Sequence, residues 1–239
     1  MESMELLYTE KARETGSYVI SACGWDSIPV DMAVEYLKQN FPGELGYVET
    51  CCQFIGGEKG FVANTGTYDS IVLIMSEMFR GDGGIKNQIM PTKIPKRKYR
   101  PCKGKPIWRV RKAGLNGWAL PFISCDKPIV NRSQYYDYTV NNQMPIPIET
   151  YFCIPSLLYA LLIPIWISTI FIFAQFGWTR RFLLRHPERC SFGMFNRNGP
   201  TKEQREGSLF ENYAFGKGWK VRADGEHDTP PDTEYYIWK

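Results

Sequence analysis

Cys153-Ile-Pro-Ser-Leu-Leu-Tyr-Ala-Leu-Leu-Ile-Pro-Ile-Trp-Ile-Ser-Thr-Ile-Phe-Ile-Phe-Ala-Gln-Phe176 lies inside a span, Glu149 to Arg180, that has no charged residue between its ends. At roughly 1.5 Å per helical residue the run is about 36 Å long, more than the roughly 30 Å hydrocarbon core of a bilayer. One domain core rarely hides so long an uncharged run. Tyr159, Trp166 and Trp178 are of the type that settles at a membrane interface, and Arg180, Arg181, Arg185 and Arg189 flank one end. The residues expected to meet lipid are Leu157, Leu161, Pro164, Trp166, Ile170, Phe173, Trp178, Arg180, Arg181 and Phe182. Around the run the sequence is of ordinary soluble type. The reading is therefore a globular α/β chain with an apolar, membrane-associated helical insert over 150–189.

The chain has 239 residues, 44% hydrophobic and 23% charged, enough apolar material for one large domain or two small ones. The net charge of +4 is unevenly spread: eleven basic and no acidic residues lie between Asp82 and Asp126, so the remainder is net acidic. Seven cysteines, an odd number with no Cys-x-x-Cys spacing, suit neither a disulfide framework nor a zinc site and point to a reducing compartment. His186 and His227 are the only histidines, too few for a His-rich metal centre, so no metal is expected. Met1–Thr15 is charged and helical in pattern, without the apolar stretch of a signal peptide.

Read in order, Met4–Glu14 is an amphipathic helix with Gly16 as its stop. Tyr18–Cys23 reads as a short buried strand. Gly24-Trp-Asp-Ser-Ile-Pro29 is a turn into a second helix, with Asp26 or Ser27 as cap and Pro29 in the first turn. This order is the grammar of an α/β fold. Tyr47–Ile55 is strand-like, and Gly66–Phe79 has helical periodicity with Gly81 beyond it. Pro91, Pro95, Pro101 and Pro106 make the basic stretch a loop. Ala119–Ser124 and Gln134–Val140 carry strand formers. Gly199–Thr201 opens a short helix, Ser208–Phe215 is a further strand, and 220–239 reads as a frayed, disordered tail.

Three stretches together, YVISACGWDSIPVD (Tyr18–Asp31), LPFISCDKPIVNRSQ (Leu120–Gln134) and GPTKEQREGSLFENYAFGKG (Gly199–Gly218), resemble the saccharopine dehydrogenase-like oxidoreductases of animals. The apolar run falls between the second and third, where that family has its membrane-associated segment. The resemblance covers roughly Met4 to Trp219. It implies a truncated Rossmann remnant (1–30), a mixed-sheet second domain (31–149 and 190–219), the insert (150–189) and the tail (220–239). The glycine-rich turn that holds dinucleotide phosphates has no counterpart, since Gly56–Gly60 and Gly81–Gly84 lack a strand before and a helix after. The chain is thus expected to bind no cofactor by itself, whereas a full-length relative would bind NAD(P). In such a relative the turn with Gly24, Trp25, Asp26, Ser27 and Pro29 would lie beside the nicotinamide. In this chain alone the same turn serves as a helix cap. Asp26 and Asp31 are the nearest carboxylates and are also read as caps, so no catalytic residue is assigned. A Gly-x-Ser-x-Gly elbow, a His-Glu-x-x-His pair and a Walker lysine are all missing from the sequence.

The implied function is an oxidoreductase of membrane or lipid-droplet surfaces, and the alternative is a non-catalytic membrane-surface protein. Lys93–Lys112 is a solvated loop by default. A second reading gives it affinity for anionic lipid, at roughly 1 kcal/mol per basic residue near the surface. Nucleic acid is not expected, because Tyr99 and Trp108 make no stacking platform. A simple span would place the N-terminal half in a lumen, against its unpaired cysteines. The expectation is instead a re-entrant or in-plane insert kinked at Pro164, both ends cytosolic, on a lipid-droplet, endoplasmic-reticulum or mitochondrial membrane. An interfacial helix around Trp178–Arg185 follows, with Phe182 and Leu183 dipping into lipid.

Overall fold

A computed structural model describes residues 2–20, 22–79, 81, 83–99, 106–223 and 226–238. Arg100, Lys103 and Lys105 of the basic stretch lie outside the described residues. In chain order the elements are α1 (Glu2–Thr15), α2 (Ile28–Asn40), β1 (Glu44–Ile55), β2 (Ala63–Asn64), α3 (Thr65–Glu77), α4 (Ile85–Ile89), β3 (Trp108–Lys112), β4 (Leu115–Pro121), α5 (Asp126–Asn141), β5 (Ile148–Ile154), α6 (Leu157–Ala174), α7 (Gly177–Arg185), α8 (Pro187–Cys190), β6 (Phe195–Asn196), α9 (Lys202–Gly207), β7 (Leu209–Trp219) and β8 (Thr233–Trp238). The fold is mixed α/β. It divides into a unit of Met1–Cys52, Gly84–Cys153 and Asn212–Lys239 and a unit of Gln53–Gly83 and Ile154–Glu211. These divisions differ from the expected ones: 1–30 is not set apart, and the apolar insert shares its unit with 53–83.

In the first unit the six-stranded sheet has the order β3-β4-β5-β1-β7-β8. Along β7, Ala214 joins one core cluster while Tyr213 and Phe215 join another, as the two-residue period of a strand requires. Val30, Val34 and Leu37 of α2 and Val130 of α5 pack in the first cluster with Leu45, Val48 and Ile148. The β3–β4 hairpin turns on Ala113 and Gly114, both at positive φ, the conformation that matches strand twist in a two-residue loop. At Gly46 a Cβ would come within 2.2 Å of the Trp219 ring, so only glycine lets that indole close over the strand.

Four expectations are corrected in this unit. Tyr18, Val19 and Ile20 form no strand and are 93%, 74% and 75% exposed, and no strand among the described residues pairs with them. An apolar run becomes a buried strand only where neighbours satisfy its N–H and C=O groups. Gln134–Val140 is helical, inside α5, despite its tyrosines and valine. Its buried residues Asp126, Val130 and Gln134 fall four apart, and packing on that stripe overrides strand propensity. The tail is not frayed throughout: β8 pairs antiparallel with β7 from Tyr213↔Trp238 to Gly218↔Thr233. The basic stretch is not all loop, since Trp108–Lys112 is β3.

The second unit is built on helices. Tyr68, Val72 and Met75 of α3 meet Ile170 and Ala174 of α6 and Leu183 of α7 in one core. Ala63–Asn64 pairs in parallel with Phe195–Asn196. Asn64 caps α3 by accepting from Gly66 N at 3.0 Å, and Thr201 and Gln204 close a capping box on α9. The helix does not break at Pro164. It runs through to Ala174, its C-terminal half held by Ile170 and Ala174 in the core, and the break falls at Gln175–Phe176, where Phe176 is extended ahead of Gly177.

Candidate functional site

The ninth residue of the first motif, Asp26, and the sixth of the second, Cys125, meet in the first unit. The turn before α2 presents Asp26 and Ser27, and the N-terminus of α5 presents Cys125 and Asp126. The Cys125 thiol lies 2.9 Å from the Asp26 carbonyl oxygen, 3.1 Å from Asp26 Oδ2 and 3.3 Å from Ser27 Oγ. Ser27 Oγ donates to the Asp26 carbonyl at 2.7 Å. Neither Asp26 nor Ser27 caps α2 through its side chain, contrary to expectation, because both are turned toward Cys125. Pro29 does sit in the first turn. Asp31 is not a cap either: Oδ2 accepts from Ser133 Oγ of α5 at 2.9 Å, tying the two helices together.

Asp126 is 3% exposed. Burial, and then the negative charge of Asp26, push its carboxyl up to about 6. Asp26 is raised as well, first by burial. The Cys125 thiol is raised by burial, and Cys52 is pushed up to about 12 by burial and then by the Asp126 and Asp26 charges. Asp26 Oδ1 and Asp126 Oδ1 are buried with no hydrogen-bond partner among the described residues. Asp126, buried and raised to about 6, can hold and release a proton near neutral pH, the property of a general acid or base, and half-buried Asp26 beside it is shifted in the same direction. They also repel anions. Gly24 has ordinary backbone, and a Cβ there would meet nothing within 4 Å, so the turn makes no tight glycine cradle. These residues do not fit the diphosphate of a dinucleotide, and no chemical step through NAD(P) is derived from them.

Cys125 and Asp126 were missed in the sequence because they stand about a hundred residues from the turn they complete. Their signal was present: Asp26-Ser-Ile-Pro29 and Asp126-Lys-Pro128 each put an aspartate just ahead of a proline in a helix's first turn.

The expected lipid-facing residues separate by structure. Leu157, Leu161, Phe173, Trp178, Arg181 and Phe182 are exposed, and Pro164 and Arg180 are half-buried. Ile170 is buried in the helical core, Trp166 packs against it and donates Nε1–H to the Cys190 carbonyl at 2.8 Å, and Leu183 is buried. These three do not meet lipid, because their sides of α6 and α7 are taken by the helix packing. Leu73, Ile74, Met78 and Phe79, of α3 and the residues just after it, are exposed apolar residues that sequence reading left in the globular part. In the basic stretch, Arg97 is buried. Its Nε donates to the Pro145 carbonyl at 2.8 Å and its guanidinium pairs with Glu44. Lys112 pairs with Glu234 and lies 4.9 Å from the Phe215 ring.

This is a mixed α/β chain with a buried carboxyl cluster and an exposed apolar helix. It is 41% identical over 95% of its length to a lipid droplet localized protein of Caenorhabditis elegans. It is 29% identical over 96% to the human saccharopine dehydrogenase-like oxidoreductase, and 26% over 98% to a probable mitochondrial saccharopine dehydrogenase-like oxidoreductase of Arabidopsis thaliana. The chain spans about half the length of the curated relatives it matches, 54%, 53% and 56% respectively. No family model and no solved structure matches. The chain is thus similar to saccharopine dehydrogenase-like oxidoreductases over about half their length.

Proposed function

We propose that this chain is the lipid-surface-bound part of an oxidoreductase and acts on lipid droplets or on an organelle membrane facing the cytosol. One observation carries the reading: α6 has a mean hydropathy of 2.3 over 18 residues, yet only 17% of it is buried. A soluble protein hides such a helix, whereas a lipid surface stabilises it by roughly 25 cal/mol for each Å² of apolar area removed from water. The lipid droplet relative supports the same reading. The turn Gly24–Pro29 is the remnant of a Rossmann unit, and in a full-length relative it lies at the nicotinamide edge of NAD(P), away from the phosphates that its carboxyls would repel. Lys93, Lys96, Lys98, Arg109 and Arg111 remain exposed and add attraction to anionic headgroups. Fluorescence titration with NADPH tests the catalytic half of the reading. The full-length relative should bind at micromolar concentration and this chain should not. Failure of the relative to bind would leave a non-catalytic surface protein.

A further inference from the structure

We infer that the lipid-contacting surface is composite: the C-terminal end of α3 enters the lipid beside the α6–α7 turn, from one side and into one leaflet. The inference rests on the lipid-surface reading above and adds a second segment, about a hundred residues away in sequence, to the contact.

Contacts inside the second unit fix how the helices run. At one end, Tyr68 of α3 and Trp166 of α6 both stack near Phe195, with ring centroids 5.6 and 6.4 Å away, and Trp166 bonds the Cys190 carbonyl at the end of α8. At the other end, Gln175 Nε2 donates to the Met75 carbonyl at 2.9 Å, and Phe79 lies 5.2 Å from Phe171. Thus α3 and the second half of α6 run side by side in the same direction. After Gln175–Phe176, α7 returns the opposite way, placing Leu183 in the core with Tyr68 and Val72. From Phe176 back to Trp166 is about 15 Å of helix, half the thickness of a hydrocarbon core. A span is ruled out for this hairpin, since both of its limbs end on the same side.

The common tip is apolar and open. Phe79 and Trp178 are each 75% exposed, and Ile74, Met78, Phe173 and Phe176 are also exposed. The charges near it set the depth. Arg180 and Arg181 begin one turn above Phe176, and Arg185 and Arg189 follow on the returning limb. Glu77 is the exposed carboxylate on the last turn of α3, and Glu188 lies on α8. Arginines extend their stems along apolar surface and keep their guanidinium groups at phosphates. This places the tip about 5–10 Å below the headgroups, the depth of an interfacial helix, on an anionic phospholipid leaflet. A second copy of the chain would face the same arginines with its own, and fits the tip less well.

The test is flotation of the full chain with vesicles of phosphatidylcholine containing a minority of phosphatidylserine. Replacing Met78 and Phe79 together with Glu should weaken binding about tenfold or more, the effect of losing a buried aromatic side chain. Glu77→Lys should strengthen it up to about fivefold, and less as salt rises. Both sites are exposed, so thermal melts of the variants should match the parent, and hydrogen exchange of the bound parent should slow at 77–79 and 175–178. If the parent itself does not float, the lipid-surface reading fails and takes this inference with it. If the parent floats and Ile165→Glu on α6 weakens it while the Met78/Phe79 variant binds like the parent, the composite surface alone is refuted.

Discussion

Helices α5 and α6 differ in what they hide. The inner face of α5 carries Asp126 and Gln134 beside Val130, while Tyr136 and Val140 face outward. The inner face of α6 is small and apolar, Ala160 and Ala174 with Ile170, and outside it shows Leu158, Tyr159, Ile165 and Ile172. The polar groups inside α5 have work to do: the Gln134 amide donates to the Ile146 carbonyl at 3.0 Å, its Oε1 accepts from Ile146 N, and Asp126 belongs to the carboxyl cluster. The leucines outside α6 have no such partners in water. One helix is finished by the protein around it, and the other leaves most of its apolar surface uncovered.

The comparison breaks first at Gln134. Gln134→Leu preserves the size and removes both main-chain partners of a buried residue, so it should cost about 3 kcal/mol in urea unfolding. A change below about 1 kcal/mol would mean that the α5 face is held by packing alone. Asp126→Asn works in the opposite direction. Because the folded carboxyl is raised above its ordinary 3.8 to about 6, the native state binds more protons than the unfolded chain between those values, and stability falls as pH rises through them. At pH 7 the ionised group therefore works against the fold. Asn should add about 2 kcal/mol there and flatten the stability profile between about pH 4 and about pH 6. The smallest effect belongs to α6: Ile165→Ser, at an outward position, should shift the melting free energy in detergent-free buffer by no more than about 0.5 kcal/mol. A loss of several kcal/mol would show that Ile165 is covered by protein in solution.

Legibility followed the range of the forces involved. The short helix opened by Gly199–Thr201, the strand near Ser208–Phe215 and the helix through Gly66–Phe79 rest on neighbours within a turn or a hairpin, and they stand in the sequence as they stand in the fold. Arg97 looked like one of a row of solvated charges until Glu44 and the Pro145 carbonyl enclosed it. The carboxyl cluster could not be assembled from sequence, because its halves are carried on α2 and α5 and no local pattern joins Asp26 to Cys125.

By itself the sequence determined that this is an α/β chain with one uncharged helix too apolar for an ordinary core, since hydropathy and period are local properties summed over a dozen residues. Only the tertiary structure decided that Tyr18–Ile20 stays open, that Gln134–Val140 is helix, that the apolar run turns at Phe176 instead of Pro164, and that α3 shares its tip. Each of these depends on whether a distant segment supplies a hydrogen-bond ladder or a packing face, and that is settled by which surfaces meet.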